Sequence, residues 1–402
     1  MRRVLLVLSW PPSVPGGVTT VVLNLHDHLT QRAGWGARLL VDSWADRTHR
    51  EETVDGRDIS YIRVQPPYIR HRGLRAMAAF CRSFVPTALQ CRRLVRQHGI
   101  TVINIHFPGT EALFWTLLRK LGLFRGTVVL SFHGADVTRI RLEASSYQRF
   151  LWRMILAGTT ALTACSHRLA DELRELFPQA SMAIHVVPNG VDERRILAES
   201  RSPRDRPIPV NAPYLISIAG FENKKGLDVL LAAFARLRQD NSQIRLLLLC
   251  RAGPDMPAIN ALIGELELAD RVTVEVDCPH HEAMSLLRAA EALVVPSRKE
   301  PFGIVVLEAA ALGRPVILTD VCGVLEWLDR SVVSIVPAGD TEALAAAIAG
   351  VLSDKQAAES QARRLNSAVA ATFSWSHATT LLLRAAEQDL GAPTGSACSA
   401  GT

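Results

Sequence analysis

No stretch of about eighteen apolar residues appears in the 402-residue chain, so no membrane span is evident. The start, "MRRVLLVLSWPP", is basic and then apolar. Its apolar run ends at Ser9 and no small-residue cleavage site follows, so a first β-strand is expected there rather than a leader. The seven cysteines (Cys81, Cys91, Cys165, Cys250, Cys278, Cys322 and Cys398) form no C-x-x-C pair. That spacing indicates neither a zinc site nor a disulfide framework, and a reducing cytoplasm is the expected compartment. No short-period repeat is present, which excludes a solenoid. Acidic residues are missing from Ile59 to Thr110, a segment that holds eight arginines: Arg63, Arg70, Arg72, Arg75, Arg82, Arg92, Arg93 and Arg96. Charge is therefore uneven: residues 1–200 carry a net +10 and residues 201–402 a net −4.

What the chain does have is alternation. Short apolar runs of strand length ("RVLLVLS", "ARLLVDS", "TVINIHF", "TVVLSFHG", "TALTACS", "AIHVVPNG") are separated by longer amphipathic stretches. Strand alternating with helix predicts a parallel sheet covered on both faces, an α/β class. The alternation stops at "AESRSPRDRPIPVNAP" (198–213), whose prolines and arginines read as a linker. It restarts with "YLISIAG", a helix from Leu227 to about Gln239, "IRLLLLC", "RVTVEV", "ALVVPS", "PVILTD" and "SIVPAG". Two Rossmann-like domains are expected, 1–200 and 201–372, with a closing helix at about 373–390 and a disordered tail at 391–402.

The stretch "RKEPFGIVVLEAAALGRPVI" (298–317) concentrates chemistry. "ALVVPS" predicts a strand, "RKEP" the loop at its carboxyl end, and "FGIVVLEAAALG" a helix. Ligands of open α/β sheets bind at such strand ends. The helix N-terminus at Phe302, Gly303, Ile304 and Val305 offers free N–H groups suited to a phosphate, and Gly303 permits close approach. Glu300 lies ahead of the helix and Glu308 inside it. Eight residues of pure helix would separate them by ~12 Å, about the distance from the sugar to the ribose of a nucleotide sugar. Glu308 would then accept from ribose hydroxyls while Glu300 faces the sugar.

The same stretch resembles the signature of glycosyltransferase family 4, retaining enzymes of GT-B fold. It matches every specified position of E-x-F-G-x-x-x-x-E-A-x-A-x-G-x-P-V. The resemblance covers most of the chain, in the family's order: "PPSVPGGVTT", "FHGAD", "VPNGVD", "NKKGLDVLLAAFARL" and "FSWSHAT". It implies two Rossmann-like domains facing a central cleft, the first for the acceptor and the second for a nucleoside-diphosphate sugar (UDP- or GDP-sugar). It assigns Lys225, not Lys224, to the departing β-phosphate, whose developing charge a fixed cation would stabilise. It places Glu300 at the transferred sugar and His133 at a sugar hydroxyl, as the catalytic pair. Donor contacts are implied for Phe302, Gly303, Ile304, Val305, Glu308 and the glycine loop Gly16–Gly17. That loop is not G-x-G-x-x-G and gives no support for NAD; a plain strand–helix turn explains it equally well without the other motifs. No D-x-D cluster stands at the donor site, so no metal and no cofactor are implied. Both an internal-return route and a covalent intermediate stand open as explanations of retention.

One departure is clear. The family has an arginine that clasps the diphosphate where this chain has Gly220, with Ala219 at the preceding glycine. Arg251, at the end of the next strand, is a candidate replacement. Loss of that cation also supports an alternative, a nucleotide-sugar-binding protein with weak or lost transferase activity. Asp136 is expected to cap or orient the loop after His133, His106 to end a neighbouring strand, and Asn189–Gly190 to form a left-handed turn.

The basic segment Arg70–Arg96 reads as a helix pair broken by Pro86, mixing apolar residues with arginines. Such a segment suits an anionic membrane surface equally with a solvated arginine face. In the acceptor-handling domain it points to a glycan or lipid-linked acceptor and to peripheral attachment at the cytoplasmic face. No nucleic-acid motif or aromatic platform accompanies the arginines, so no nucleic-acid partner is expected.

Overall fold

A computed structural model describes residues 2–42, 49–70, 73–202, 212–237 and 243–387. Most of the expected linker and the whole expected tail, together with Arg72, Gln239 and Cys398, lie outside these residues. The chain divides into two compact units, Met1–Val187 with Ser376–Thr402, and Pro188–Trp375.

The first unit holds β1 (Arg2–Leu8), β2 (Trp35–Val41), β3 (Arg50–Val54), β4 (Arg57–Tyr61), β5 (Ile100–His106), β6 (Thr127–Phe132), β7 (Ala161–Ala164) and β8 (Ile184–Val186). Its helices are α1 (Gly17–Gln31), α2 (Gly73–His98), α3 (Ala112–Lys120), α4 (Ala135–Leu142), α5 (Ser146–Leu156) and α6 (His167–Leu176). The sheet runs β3-β4-β2-β1-β5-β6-β7-β8, parallel except for the β3–β4 hairpin. Val4 to Leu8 are at most 1% exposed. A parallel strand covered on both faces needs such a continuous apolar run.

The hairpin escapes an apolar reading, because "REETV" is charged and β3 is a largely exposed edge. Its signal is instead "DG": Asp55 and Gly56 both have positive φ, as a two-residue type I′ turn requires.

Helix α2 corrects a second expectation. Pro86 does not break it; one helix runs from Gly73 to His98. Proline removes an N–H and crowds the carbonyl four residues earlier. Here that carbonyl belongs to Arg82, and both residues are exposed, so the lost bond lies where water can replace it.

The second unit holds β9 (Tyr214–Gly220), β10 (Arg245–Arg251), β11 (Val272–Val276), β12 (Ala292–Val295), β13 (Val316–Thr319) and β14 (Ser334–Val336). Around them lie α7 (Glu193–Glu199), α8 (Leu227–Arg236), α9 (Met256–Glu265), α10 (His280–Ala289), α11 (Ile304–Ala311), α12 (Thr341–Ser353) and α13 (Lys355–Thr372). The all-parallel order is β11-β10-β9-β12-β13-β14. Strand order reverses between β9 and β12, and between β1 and β5 in the first unit. These switch points are where such sheets open a ligand crevice.

The chain leaves the second unit at α14 (Trp375–Glu387). Beyond Trp375 this helix belongs to the first unit, where Arg2 pairs with Glu387 at 2.7 Å and Arg32 donates to Thr380 at 2.7 Å. The expected left-handed turn at Asn189–Gly190 is not formed, since neither residue has positive φ. A side chain at 190 would lie 2.3 Å from the Trp375 nitrogen, so close backbone approach explains the glycine.

Candidate functional site

At the second unit's switch point, the loops after β9 and β12 are tied together. A short 3₁₀ turn, Asn223–Lys225, follows β9. The Lys224 carbonyl accepts from the backbone N–H groups of Arg298 and Lys299 at 2.8 and 3.1 Å. The Arg298 guanidinium donates twice to Asp228 (2.7 and 2.6 Å) and once to the Asn223 carbonyl (2.9 Å). Gly226 then adopts φ 64°, and a Cβ there would lie 2.1 Å from the Pro296 carbonyl oxygen. Only glycine lets the two loops come this close.

That knot presents one ammonium and one carboxylate. Lys225 Nζ donates to Glu300 Oε2 at 2.7 Å. Burial works against the lysine charge, but Glu300 and then Glu222 outweigh it, and the pKa is raised. Lys224 pairs instead with Glu222 at 2.6 Å. The two adjacent lysines are thus separated by partner. Glu300 is held by its backbone: it bridges Cys322, and its carbonyl accepts from the Gly323 N–H at 3.0 Å.

Helix α11 begins at Ile304, not at Phe302. Gly303 has φ 96° and ψ 60°, which ends any helical path toward Phe302. Phe302 is itself buried, its ring against Trp327 (5.7 Å) and Phe373 (5.8 Å), and its carbonyl accepts from the Val324 N–H at 2.8 Å. The Phe302 side chain is therefore an anchor for the loop. No side chain caps the helix start, which leaves its first N–H groups, those of Ile304 and Val305 among them, without intrahelical acceptors. Only four steps from Ile304 to Glu308 are helical, a rise of about 6 Å. The expected continuous helical span from Glu300 to Glu308 is not made.

Glu308 brings a residue that sequence reasoning missed. Its carboxylate is buried and accepts from His280 Nε2–H at 2.9 Å, while His280 Nδ1–H donates to Glu199 at 2.7 Å. Glu199 also accepts from Arg195 Nε at 2.8 Å. With a carboxylate on each ring nitrogen, both nitrogens must carry protons, so His280 is an imidazolium. Burial opposes that charge, yet the bonds and charges of Glu199 and Glu308 raise the pKa to about 10. Glu199 falls to about 2, its burial outweighed by His280 and Arg195. The residues come from α7, α10 and α11, and nothing in "PHHEAM" marks the contact. A histidine whose folded pKa is raised contributes stability fully below its ordinary value near 6.5 and loses that contribution as pH rises toward 10. Thermal melting should therefore fall between pH 7 and 10 in the wild type. His280→Gln should flatten that slope; an unchanged slope would remove His280 as its source.

Arg251 pairs in register with Gly220, on the neighbouring strand. Its guanidinium is half-exposed and lies 3.9 Å from Glu222. Arg251 and Gly220 thus stand side by side at the ends of adjacent strands.

In the first unit, Gly16 caps α1 and Gly17 starts it. Trp10 Nε1–H donates to Thr19 at 3.0 Å, and Thr19 donates to the Val14 carbonyl at 2.8 Å, which fixes the loop. His133 follows β6, and its Nε2 lies 3.1 Å from Nδ1 of His106, at the end of β5. The rings are stacked. Burial pushes His133 down to about 4 and His106 well below its usual value, so the pair shares a hydrogen bond as neutral imidazoles. Asp136 holds the loop by accepting from the N–H groups of His133 (2.9 Å), Gly134 (2.7 Å) and Val137 (2.8 Å). Burial raises its pKa to about 6 despite those bonds.

Two parallel α/β units, each with a ligand-type switch point, define a class, and comparison with solved structures identifies it as the GT-B fold. Sucrose-phosphate synthase from Thermosynechococcus elongatus superposes with a TM-score of 0.74 at 22% identity, over 96% of this chain and 98% of that one. HepE from Anabaena, solved in complex with UDP and glucose, gives a TM-score of 0.69 at 16% identity over 95% and 98%. Two family models match side by side: Glycosyltransferase Family 4 over residues 15–195 and Glycosyl transferases group 1 over residues 199–368. A D-inositol 3-phosphate glycosyltransferase of Thermobispora bispora is 32% identical over 291 residues, 68% of this chain and 67% of that protein. The chain belongs to the family 4, group 1 glycosyltransferases. The glycogen synthase of Mycobacterium tuberculosis is 33% identical over 224 residues, and the match spans only about half of it, 52%.

Proposed function

We propose that the protein transfers a sugar, with retention, from a nucleoside-diphosphate sugar to an acceptor hydroxyl. The observation that carries this reading is the Lys225–Glu300 ion pair, at the strand switch point beside the uncapped start of α11. An ammonium has three N–H donors, so Lys225 can hold Glu300 and still meet a β-phosphate. As the bond to the sugar breaks, Lys225 and the N–H groups of Ile304 and Val305 take up the growing phosphate charge. Glu300 opposes the positive character of the anomeric carbon. Glu308, oriented by His280, accepts from the ribose. His133, a neutral imidazole, is the proposed contact to a sugar hydroxyl.

A thermal-shift panel of UDP-, GDP- and ADP-sugars, followed by an assay for released nucleotide and NMR of the product anomer, tests the reading. Stabilisation by one donor class and a product of the donor's anomeric configuration are expected. A second reading, donor binding with weak transfer, is favoured by Gly220 in the place of the family's arginine. Absence of both hydrolysis and transfer with the stabilising donor would select it. Arg251→Ala should weaken donor affinity about fivefold to tenfold, the loss of one exposed charge-assisted contact. Unchanged affinity would show that Arg251 does not replace the missing cation.

The acceptor is proposed to be a lipid-linked or glycan precursor, met at an anionic membrane surface through Arg70–Arg96. No helix among the described residues is long and apolar enough to cross a membrane, so this attachment would be peripheral.

A further inference from the structure

Helix α2 separates its residues into three faces. Ala76, Phe80, Thr87, Ala88, Cys91 and Leu94 are buried. Leu74, Val85 and Leu89 are 84%, 63% and 53% exposed. At about 100° per residue these three fall within about 60° of one another, so they form one apolar row facing solvent. Beside that row, Arg75, Ala79, Arg82 and Ser83 turn toward the segment after β4.

Between the helix and that segment lies a cavity of about 800 Å³, lined by Arg63, Arg75, Arg82, Gln65, Ser83 and Ile69 among others. None of its lining residues is acidic. The guanidinium groups of Arg63, Arg75 and Arg82 have no carboxylate partner among the described residues, whereas many other arginines do. Gln65 is buried and lines the same cavity. Three arginines without a carboxylate partner among the described residues line one concavity that has no acidic lining residue, a charge balance that an anion would complete. Arginine suits phosphate oxygens in particular, through paired N–H donors.

We propose that this cavity receives the phosphate or diphosphate of an amphiphile whose apolar chain lies along Leu74, Val85 and Leu89. The acceptor of the proposed transfer is then a phosphate-bearing lipid. That last step rests on the glycosyltransferase reading; the anion site does not. A free phosphorylated sugar would use the arginines but not the apolar row.

Flotation with vesicles of about 30% phosphatidic acid in phosphatidylcholine, paired with calorimetry using inorganic pyrophosphate, tests the site. The wild type should float, and pyrophosphate should release it. Arg75→Ala/Arg82→Ala should cut both vesicle and pyrophosphate binding by roughly tenfold. Leu74→Ser/Leu89→Ser should cut vesicle binding alone. Lys120→Ala/Arg125→Ala, exposed basic residues outside the cavity lining, should change neither. Melting curves of all variants confirm folding. The proposal fails if the wild type does not float at low salt, or if the control variant loses as much as the arginine variant. It also fails if the arginine variant binds pyrophosphate normally, and full vesicle binding by the leucine variant would overturn the lipid in favour of a soluble phosphate. Thermal stabilisation of the wild type by nucleotide sugars, measured without vesicles, separates the two ideas: no stabilisation by any donor with intact vesicle binding sinks transfer and leaves the site standing.

Discussion

Replacing Lys225 by alanine is expected to lower turnover by about 100-fold to 1000-fold, the cost of removing one preorganised charge from a developing anion. Lys224→Ala should change turnover far less, because Lys224 pairs with Glu222 rather than with Glu300. The contrast between neighbours is what makes the test specific. A general loss of positive charge at this loop would affect both variants alike, whereas a placed ammonium affects one. Lys225→Ala also leaves the Glu300 carboxylate without its cation, so donor binding should be measured alongside turnover. The account expects the larger effect on kcat, since the β-phosphate gains charge only as the bond breaks. A Lys225→Ala enzyme with wild-type kcat would remove the lysine from the mechanism.

Gly226→Ala should be the most disruptive single-methyl change in the second unit. Left-handed backbone costs a non-glycine residue roughly 1–2 kcal/mol. The added Cβ would also lie 2.1 Å from the Pro296 carbonyl oxygen, and backbone on both sides must shift to clear it. Together these should cost roughly 2–4 kcal/mol and lower melting by about 5–10 °C. The shift separates the loop carrying Lys225 from the strand end carrying Glu300, so donor affinity should fall as well. Normal melting and normal donor affinity in Gly226→Ala would show that the loops are not tied through this contact.

Much of this architecture was legible in the chain because its physics is local. Parallel strands buried on both faces need unbroken apolar runs, and "RVLLVLS" and "IRLLLLC" state that directly. Gly303 and the two glutamates stood out because a strand end, a glycine and a helix start lie within ten residues. The failures have physical causes too. The β3–β4 hairpin is an edge with a charged strand, so only its Asp55–Gly56 turn could announce it. Pro86 looked like a break, but an exposed helix face lets water replace the lost bond. The need for glycine at 226 comes from a carbonyl seventy residues away, at Pro296. His280 was invisible for the same reason: its meaning lies in carboxylates at 199 and 308, which only the folded sheet brings to its two nitrogens.

A structure of the protein with UDP or GDP bound tests the central claim most directly. The account predicts the β-phosphate within hydrogen-bond distance of Lys225 Nζ and of the N–H groups opening α11, with the ribose hydroxyls on Glu308. A nucleotide seated elsewhere, with Lys225 and Glu308 untouched, would contradict it.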